Sequence, residues 1–369
     1  MNELGENNQS LKDEYDVVVI GGGQAGLSLG FYLRRSGLSY VILDAQEKAG
    51  GAWLHGWNSL KLFSPAQWSS LPGWMFPGRP DRYPTRDEVI SYLEQYEDRY
   101  KLPIVRHVKV SAVRRKNEII ELETTAGNLT AKAVISATGS WQKPFIPSNP
   151  GQEDFSGVQI HSADYRSPEQ FAGQTVLIIG EGNSGAQIMA EVSLFAEAVW
   201  VTLEEPQFLP DNVDGRVLFD AASEKYRALT QETNANPAKS GDLLGKIVMV
   251  EPVRQARDRN ALKSRRPFQR FTRTGVVWED GTETSVDAVI WCTGFKPALE
   301  HLRPLGIIKE NGRVETIGTH STKEPKLWLV GYGNWTGFAS ATLIGVGRSA
   351  RATVQEISDA FAKEAKMTA

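Results

Sequence analysis

The chain has 369 residues, 41% of them hydrophobic and 23% charged, with a net charge of -3; this is ordinary for a globular protein with room for two domains. The near balance of charge excludes a bulk electrostatic case for nucleic acid or an anionic membrane, and no apolar run approaches the roughly 20 residues that span a bilayer. A single cysteine, Cys292, excludes an intrachain disulfide and a redox-active dithiol, and the five histidines are scattered without an i, i+4 pair, so no metal site is expected.

Residues 1–14 are polar, with neither a basic n-region nor an apolar h-region. A disordered tail is expected there, not a secretory signal, and the location is expected to be cytoplasmic. Residues 15–20 (YDVVVI) read as a buried parallel strand. Residues 25–38 read as a helix, with Ala25, Leu29 and Leu33 on one face and Arg34 and Arg35 near its end. Residues 39–43 form the next strand, which ends at Asp44 and Ala45. An amphipathic helix spans 87–100, with Thr85 as a nearby cap. A strand over 132–137 follows.

The pattern then repeats: strand 175–179, helix 184–195, strand 198–202. The polar stretch 204–266 reads as a loop and helical insertion. Runs at 276–278 and 284–291 read as strands of a hairpin joined by Asp280-Gly281. A strand at 326–330 and a helix over 341–365 close the chain. The expected fold class is α/β, with two Rossmann-like dinucleotide-binding domains. One domain takes 15–155 and 285–369; the other, at 156–284, is inserted into it.

Each βα junction carries a glycine turn. The first is Gly21-Gly22-Gly23-Gln24-Ala25-Gly26, the second Gly180-Glu181-Gly182-Asn183-Ser184-Gly185. One such turn is weak evidence in a chain with 34 glycines; two, each between a strand and a helix, are much stronger. The first glycine permits the tight turn, the second lets backbone amides approach a pyrophosphate, and the third lets helix and strand pack closely. Asp44 stands close to the spacing of an acid that accepts from adenosine ribose hydroxyls. Between the turns, Phe155, Gly157, His161 and Tyr165 fit the spacing FxGxxxHxxxY.

Two dinucleotide turns with this linker between them resemble the flavin-containing monooxygenases. The likeness runs from Tyr15 to about Thr353, weakest across 204–266, and is greatest to the short bacterial subgroup that includes enzymes of arsenic-resistance operons. It implies FAD at the first turn and NADH or NADPH at the second. For FAD it implies contacts from Gly21, Gly23, Gln24, Ala25, Gly26, Asp44, Ala45, from Gly51, Ala52 and Trp53 of a GGxW segment, from Lys109 and Val110, and from the Ala137-Thr138-Gly139 turn. For the nicotinamide dinucleotide it implies Gly180, Gly182, Asn183, Ser184, Gly185, Thr202, Leu203, Glu204, Thr293 and Gly294. The implied reaction uses NAD(P)H to reduce FAD. Oxygen then forms a C4a-(hydro)peroxyflavin that oxygenates a small organic substrate, by sulfoxidation, N-oxidation or Baeyer–Villiger oxidation of a ketone. The partners are therefore that substrate and O2, and a homodimer is left open.

Departures from the family pattern carry the individual expectations. Tyr165 stands where Baeyer–Villiger enzymes carry Trp, and Arg166 where the family usually has Pro or Lys. His161 invites a catalytic reading, but a hinge role is favoured. Phe63 stands at the position of a flavin-face Asn, with Asn58 as a possible substitute; a phenyl ring cannot donate the hydrogen bond that an amide gives. No Arg follows the strand 198–202 before Arg216. Glu204 would repel a 2′-phosphate and accept from a free 2′-hydroxyl, so NADH is expected to serve at least as well as NADPH; a solvent-facing Glu204 would leave the pocket indifferent. Trp53, Trp57, Phe63, Trp68, Trp74 and Phe76 form either an aromatic wall over the flavin or a loop packed by its own rings. Trp335 and Phe338 are expected near the same site. The lone Cys292 rules out the disulfide-reductase mechanism on this fold. A peroxide-forming NAD(P)H oxidase and a non-catalytic flavin-bound sensor remain as alternatives.

Overall fold

A computed structural model describes residues 11–213, 215–217, 246–337 and 339–368. Two separate sheets organise them, the first mixed and the second parallel. In the first, β1 (Glu14–Ile20) lies between β2 (Tyr40–Leu43) and β6 (Gly127–Ser136), parallel to both. β3 (Ile104–Val105) extends the sheet beyond β2. β4 (Val110–Lys116) and β5 (Ile119–Thr124) form an antiparallel meander onto β6.

In the second sheet, β7 (Val158–His161), β8 (Thr175–Ile179), β9 (Glu197–Val201), β10 (Ser264–Arg265) and β14 (Ala288–Trp291) run in the order β10-β9-β8-β14-β7, all parallel. A small antiparallel sheet of β11 (Arg270–Thr272), β12 (Gly275–Val277) and β13 (Glu283–Ser285) accompanies it. The chain then returns to the first sheet through β15 (Thr316–Ile317), β16 (His320–Ser321) and β17 (Leu327–Leu329), the last parallel to β6. The chain thus leaves the first sheet after β6, builds the second, and returns to the first at β15–β17.

The strands are apolar because both faces are covered. Val17, Val18 and Val19 of β1 and Val176, Leu177 and Ile178 of β8 are fully buried. α1 (Gln24–Leu33), α2 (Arg86–Tyr100) and α5 (Leu343–Thr368) cover one face of the first sheet, and α3 (Asn183–Val192) with α4 (Glu251–Asp258) cover the second. α2 starts with a full capping box: the Glu88 backbone N–H donates to the Thr85 hydroxyl, and the Thr85 N–H donates back to the Glu88 carboxylate. Among the described residues no helix is long and apolar enough to cross a membrane.

The structure departs from the sequence expectations at several points. The helix read at 25–38 stops at Leu33, and residues 34–36 form a turn. The run 284–291 is two strands in different sheets, because the chain turns at Val286–Asp287, where the Asp287 carboxylate accepts from the Thr175 N–H at 2.8 Å. β14 therefore pairs with β7 in the second sheet, although the first domain is expected to resume at 285. The meander β4–β5 went unread because its faces mix charge with buried Val113, Ile120 and Leu122. Of the stretch 204–266, residues 214 and 218–245 lie outside the description, as do residues 1–10 of the tail and Phe338.

Candidate active site

The first glycine turn is locked by backbone sterics. Gly21 sits at φ +109°, and a Cβ there would stand 2.6 Å from the Ala137 carbonyl oxygen. A Cβ on Gly26 would stand 2.0 Å from the Gly21 carbonyl oxygen, so α1 can start only where it does. Gly22 is needed for a reason the motif does not state: its Cβ would lie 2.6 Å from the Asp44 carboxylate. Gly51 closes on Gly23 from the other side, at φ +53°. The second turn repeats the geometry. A Cβ on Gly185 would stand 2.1 Å from the Gly180 carbonyl, and one on Gly180 2.3 Å from the Cys292 carbonyl. Gly182 has open space where a Cβ would be.

Both helices begin with a glycine cap that offers no side-chain acceptor and with no acid in the first turn. Their first N–H groups are free for an anion. The residues present therefore fit two dinucleotides. A second observation agrees: the Thr202 hydroxyl, at the end of β9, is buried without a hydrogen-bond partner, and next to it Leu203 is 72% exposed.

A cleft of about 560 Å³ opens along the first turn. Gly21, Gly23, Gln24, Ala25, Asp44, Ala45, Gly51, Ala52, Trp53, Lys109, Val110, Ala137, Thr138 and Gly139 line it. Gly26 packs behind, against Gly21. Ser184 of the second turn and Phe295 reach the same cleft, so both turns face one space. The remaining second-turn residues, Gly180, Gly182, Asn183 and Gly185, lie away from it. Asn183 instead accepts from the Val248 N–H at 2.8 Å. Thr202, Leu203 and Glu204 extend from β9, and the Glu204 N–H donates to Glu181 at 2.9 Å.

Trp53 donates to the Gln24 side chain at 3.1 Å, and Gln24 donates to the Ala341 carbonyl at 2.7 Å. This ties the GGxW segment and the approach to α5 across the mouth of the turn. Of the aromatic window, Trp53 and Trp57 line the cleft. Trp74 and Phe76 stack on Tyr92 of α2, with ring centres 5.0 and 4.6 Å away. The Phe63 ring packs beside Gly215, its carbonyl accepts from the Gly215 N–H, and it does not line the cleft. Asn58 also lies outside, with its side chain accepting from Arg86 at 3.3 Å. Trp335 packs on Tyr332 at 5.4 Å, away from the lining.

Phe155, His161 and Tyr165 of the linker motif are buried. Phe155 is core, packed on Phe271 at 5.2 Å. Gly157 leaves no room for a Cβ, which would stand 2.6 Å from the Asp287 carbonyl. His161 donates from Nε2 to the Gly294 carbonyl at 3.0 Å, and its Nδ1 accepts from the Ala163 N–H at 3.1 Å. Burial lowers its pKa, partly offset by the Gly294 hydrogen bond and by Asp164. With both ring nitrogens held by backbone, it is a neutral connector between β7 and the Thr293-Gly294 turn after β14. Thr293 in turn donates to the Phe145 carbonyl.

Sequence reading missed several residues, because their partners are remote in the chain. Arg106 bridges Asp44 at 2.5 Å and also pairs with Glu97, all three mostly buried. Trp141 stacks on His55 in the cleft, 3.7 Å apart. His301 bonds Ser136 at 3.0 Å, and Ser136 bonds Tyr332 at 2.6 Å. Tyr332 continues to the Thr138 hydroxyl at 2.7 Å, bracing the Ala137-Thr138-Gly139 turn. The expectation that no Arg approaches the end of β9 holds only along the chain. In space, Arg266 follows β10 and stands 3.5 Å from Glu204.

The profile of the pyridine nucleotide-disulphide oxidoreductase family matches residues 18–217. The solved structure of a flavin-containing monooxygenase from Stenotrophomonas maltophilia is 51% identical, with a TM-score of 0.86 over 94% of this chain and 99% of that one. An uncharacterized CzcO-like oxidoreductase of Geobacillus kaustophilus is 30% identical over 93% of this chain and 98% of its own. A probable indole-3-pyruvate monooxygenase, YUCCA8 of Arabidopsis thaliana, is 25% identical over 95% of this chain and 90% of its own. With two glycine turns opening on one cleft and these relatives spanning nearly the whole chain, the protein belongs to the pyridine nucleotide-disulphide oxidoreductase family and, within it, to the flavin-containing monooxygenases, which makes it an FAD-dependent oxidoreductase.

Proposed function

We propose that this enzyme takes hydride from NADH at least as readily as from NADPH and transfers one oxygen atom of O2 to a small, apolar organic substrate. FAD at the first turn would supply the hydride acceptor and the oxygen chemistry. The observation that carries the reading is the single cleft shared by the first glycine turn, Ser184 and Phe295. In it, the free N–H groups of α1 receive the diphosphate, with Gly23 and Gly51 leaving room for it. Trp53, held by Gln24, and Trp141, stacked on His55, give an apolar lining that excludes water and favours a soft sulfur or nitrogen centre, or a ketone, over an ionic substrate. Cys292 is buried, burial pushes its thiol pKa up, and it takes no part.

The NADH reading rests on Glu204, a carboxylate at the end of β9. The nearby Arg266 moderates it, since a guanidinium there could pair with a 2′-phosphate instead. Both cofactors are therefore used, with Glu204 setting the balance. The test is the ratio of oxygenated product to hydrogen peroxide per NADH consumed, with a thioether as substrate. Near-equal product and NADH are expected. Stoichiometric peroxide without product would favour the oxidase reading. Negligible NADH oxidation by the FAD-loaded protein would favour a sensor.

A further inference from the structure

The segment from Gly51 to Ser59 belongs to two places at once. At its start, Trp53 lines the cleft and bonds Gln24 of the first turn. Four residues later, Trp57 is 7% exposed and packs in the core of the second unit, among Tyr165, Ile188 and Met189. The segment is therefore a strap between the two nucleotide-binding units.

Its far end is fastened to α3. Ser59 donates to one oxygen of Glu191, and Tyr165 donates to the other at 3.0 Å. A second fastening lies beside it: Arg166 donates to the His55 carbonyl at 3.1 Å, and the Asn58 N–H donates to the Arg166 carbonyl at 2.9 Å. Burial raises the Glu191 pKa, hydrogen bonds such as those from Ser59 and Tyr165 pull it down, and Glu169 pushes it up again. A carboxylate desolvated in this way is a poor device for stability alone, since apolar packing does as well or better. Its value is geometric: two donors from two segments, one on each carboxylate oxygen, fix one orientation.

Glu191 stands near the C-terminal end of α3, and Asn183 and Ser184 stand at its start. The helix is a rigid lever about 12 Å long between them. We propose that Glu191 is a positioning residue that couples a dinucleotide seated at the start of α3 to the strap facing the flavin site. It rests on the assignment of the nicotinamide dinucleotide to the second turn. Seating the dinucleotide adjusts α3, the adjustment passes through Glu191 to Ser59 and Trp57, and the strap carries it to Trp53. The linker motif acquires a task in this scheme, since Tyr165 is one of the two donors.

The test uses the FAD-loaded protein with oxidised NAD, which binds without turnover. Hydrogen exchange should slow both in residues 180–186 and, at a distance, in residues 53–59. In Glu191→Leu the slowing at 180–186 should persist and that at 53–59 should vanish; Glu191→Gln, which keeps an acceptor, should restore it. Anaerobic reduction of FAD by saturating NADH should slow about tenfold in Glu191→Leu, with little change in KM. Tyr165→Phe removes one donor without a cavity and should give an intermediate loss. Undiminished protection of 53–59 in Glu191→Leu, or its absence in the parent protein, overturns the proposal. The readouts are exchange and hydride transfer, so they are independent of whether oxygen ends in product or in peroxide.

Discussion

Gly26 and Gly21 define the first turn jointly: a Cβ on Gly26 would sit 2.0 Å from the Gly21 carbonyl oxygen. The obstacle is backbone, so no rotamer change relieves it. The same relationship joins Gly185 to Gly180, at 2.1 Å. Gly26→Ala is expected to lose FAD and to destabilise the fold by about 3 kcal/mol. Gly185→Ala should keep FAD but raise the KM for NADH about tenfold or more. Flavin absorbance per protein, followed by steady-state kinetics, checks both; equal FAD loss in the two variants would refute the assignment of the turns.

Glu204 and Arg266 set up a cofactor prediction. Glu204→Gln removes the charge that opposes a 2′-phosphate and should shift the kcat/KM ratio toward NADPH by about tenfold, worth about 1.4 kcal/mol. Arg266→Ala should shift it the other way. A parent enzyme that already prefers NADPH by tenfold or more would remove the basis of the prediction.

His301 is held neutral. Burial pushes its pKa down to about 4, with Glu300 opposing. The unfolded chain takes up the proton first on acidification, at about 6.5. His301 therefore favours the fold fully above that pH, and the contribution drains away as the pH falls toward about 4. The loss is about 3 kcal/mol across the window. His161 adds to it in the same direction, since burial also lowers its pKa. Urea midpoints at pH 7.5 and pH 5 should differ clearly in the parent and less in His301→Asn.

Arg106 holds Asp44 and Glu97 together in a mostly buried triad. Arg106→Leu leaves two acids facing each other and should destabilise by about 3–5 kcal/mol. It should also weaken FAD retention, because Asp44 would no longer be fixed beside Gly22. Thermal melting with and without added FAD measures both; a melting point within a degree or two of the parent would contradict the triad's importance.

Cys292 should be silent. It is buried at the end of β14, and burial alone raises its pKa. A thiol reagent should label it only after unfolding. Fast labelling of the native protein would show that the second sheet opens at its centre.

What the sequence determined is what depends on local backbone sterics. Glycine spacing fixed both turns, because the third glycine must clear the first one's carbonyl only five residues away. Apolar β-branched runs marked β1 and β8, and the single cysteine excluded dithiol chemistry. Tertiary structure decided whatever needs a partner far along the chain. Arg106 reaches Asp44, Trp141 stacks on His55, and Arg266 arrives beside Glu204 because β10 pairs with β9. The run 284–291 looked like one strand because periodicity does not report which sheet a residue joins. Glu191 looked like one more surface acid of a helix. Its half-burial and its two donors exist only once the strap and the linker have closed over α3.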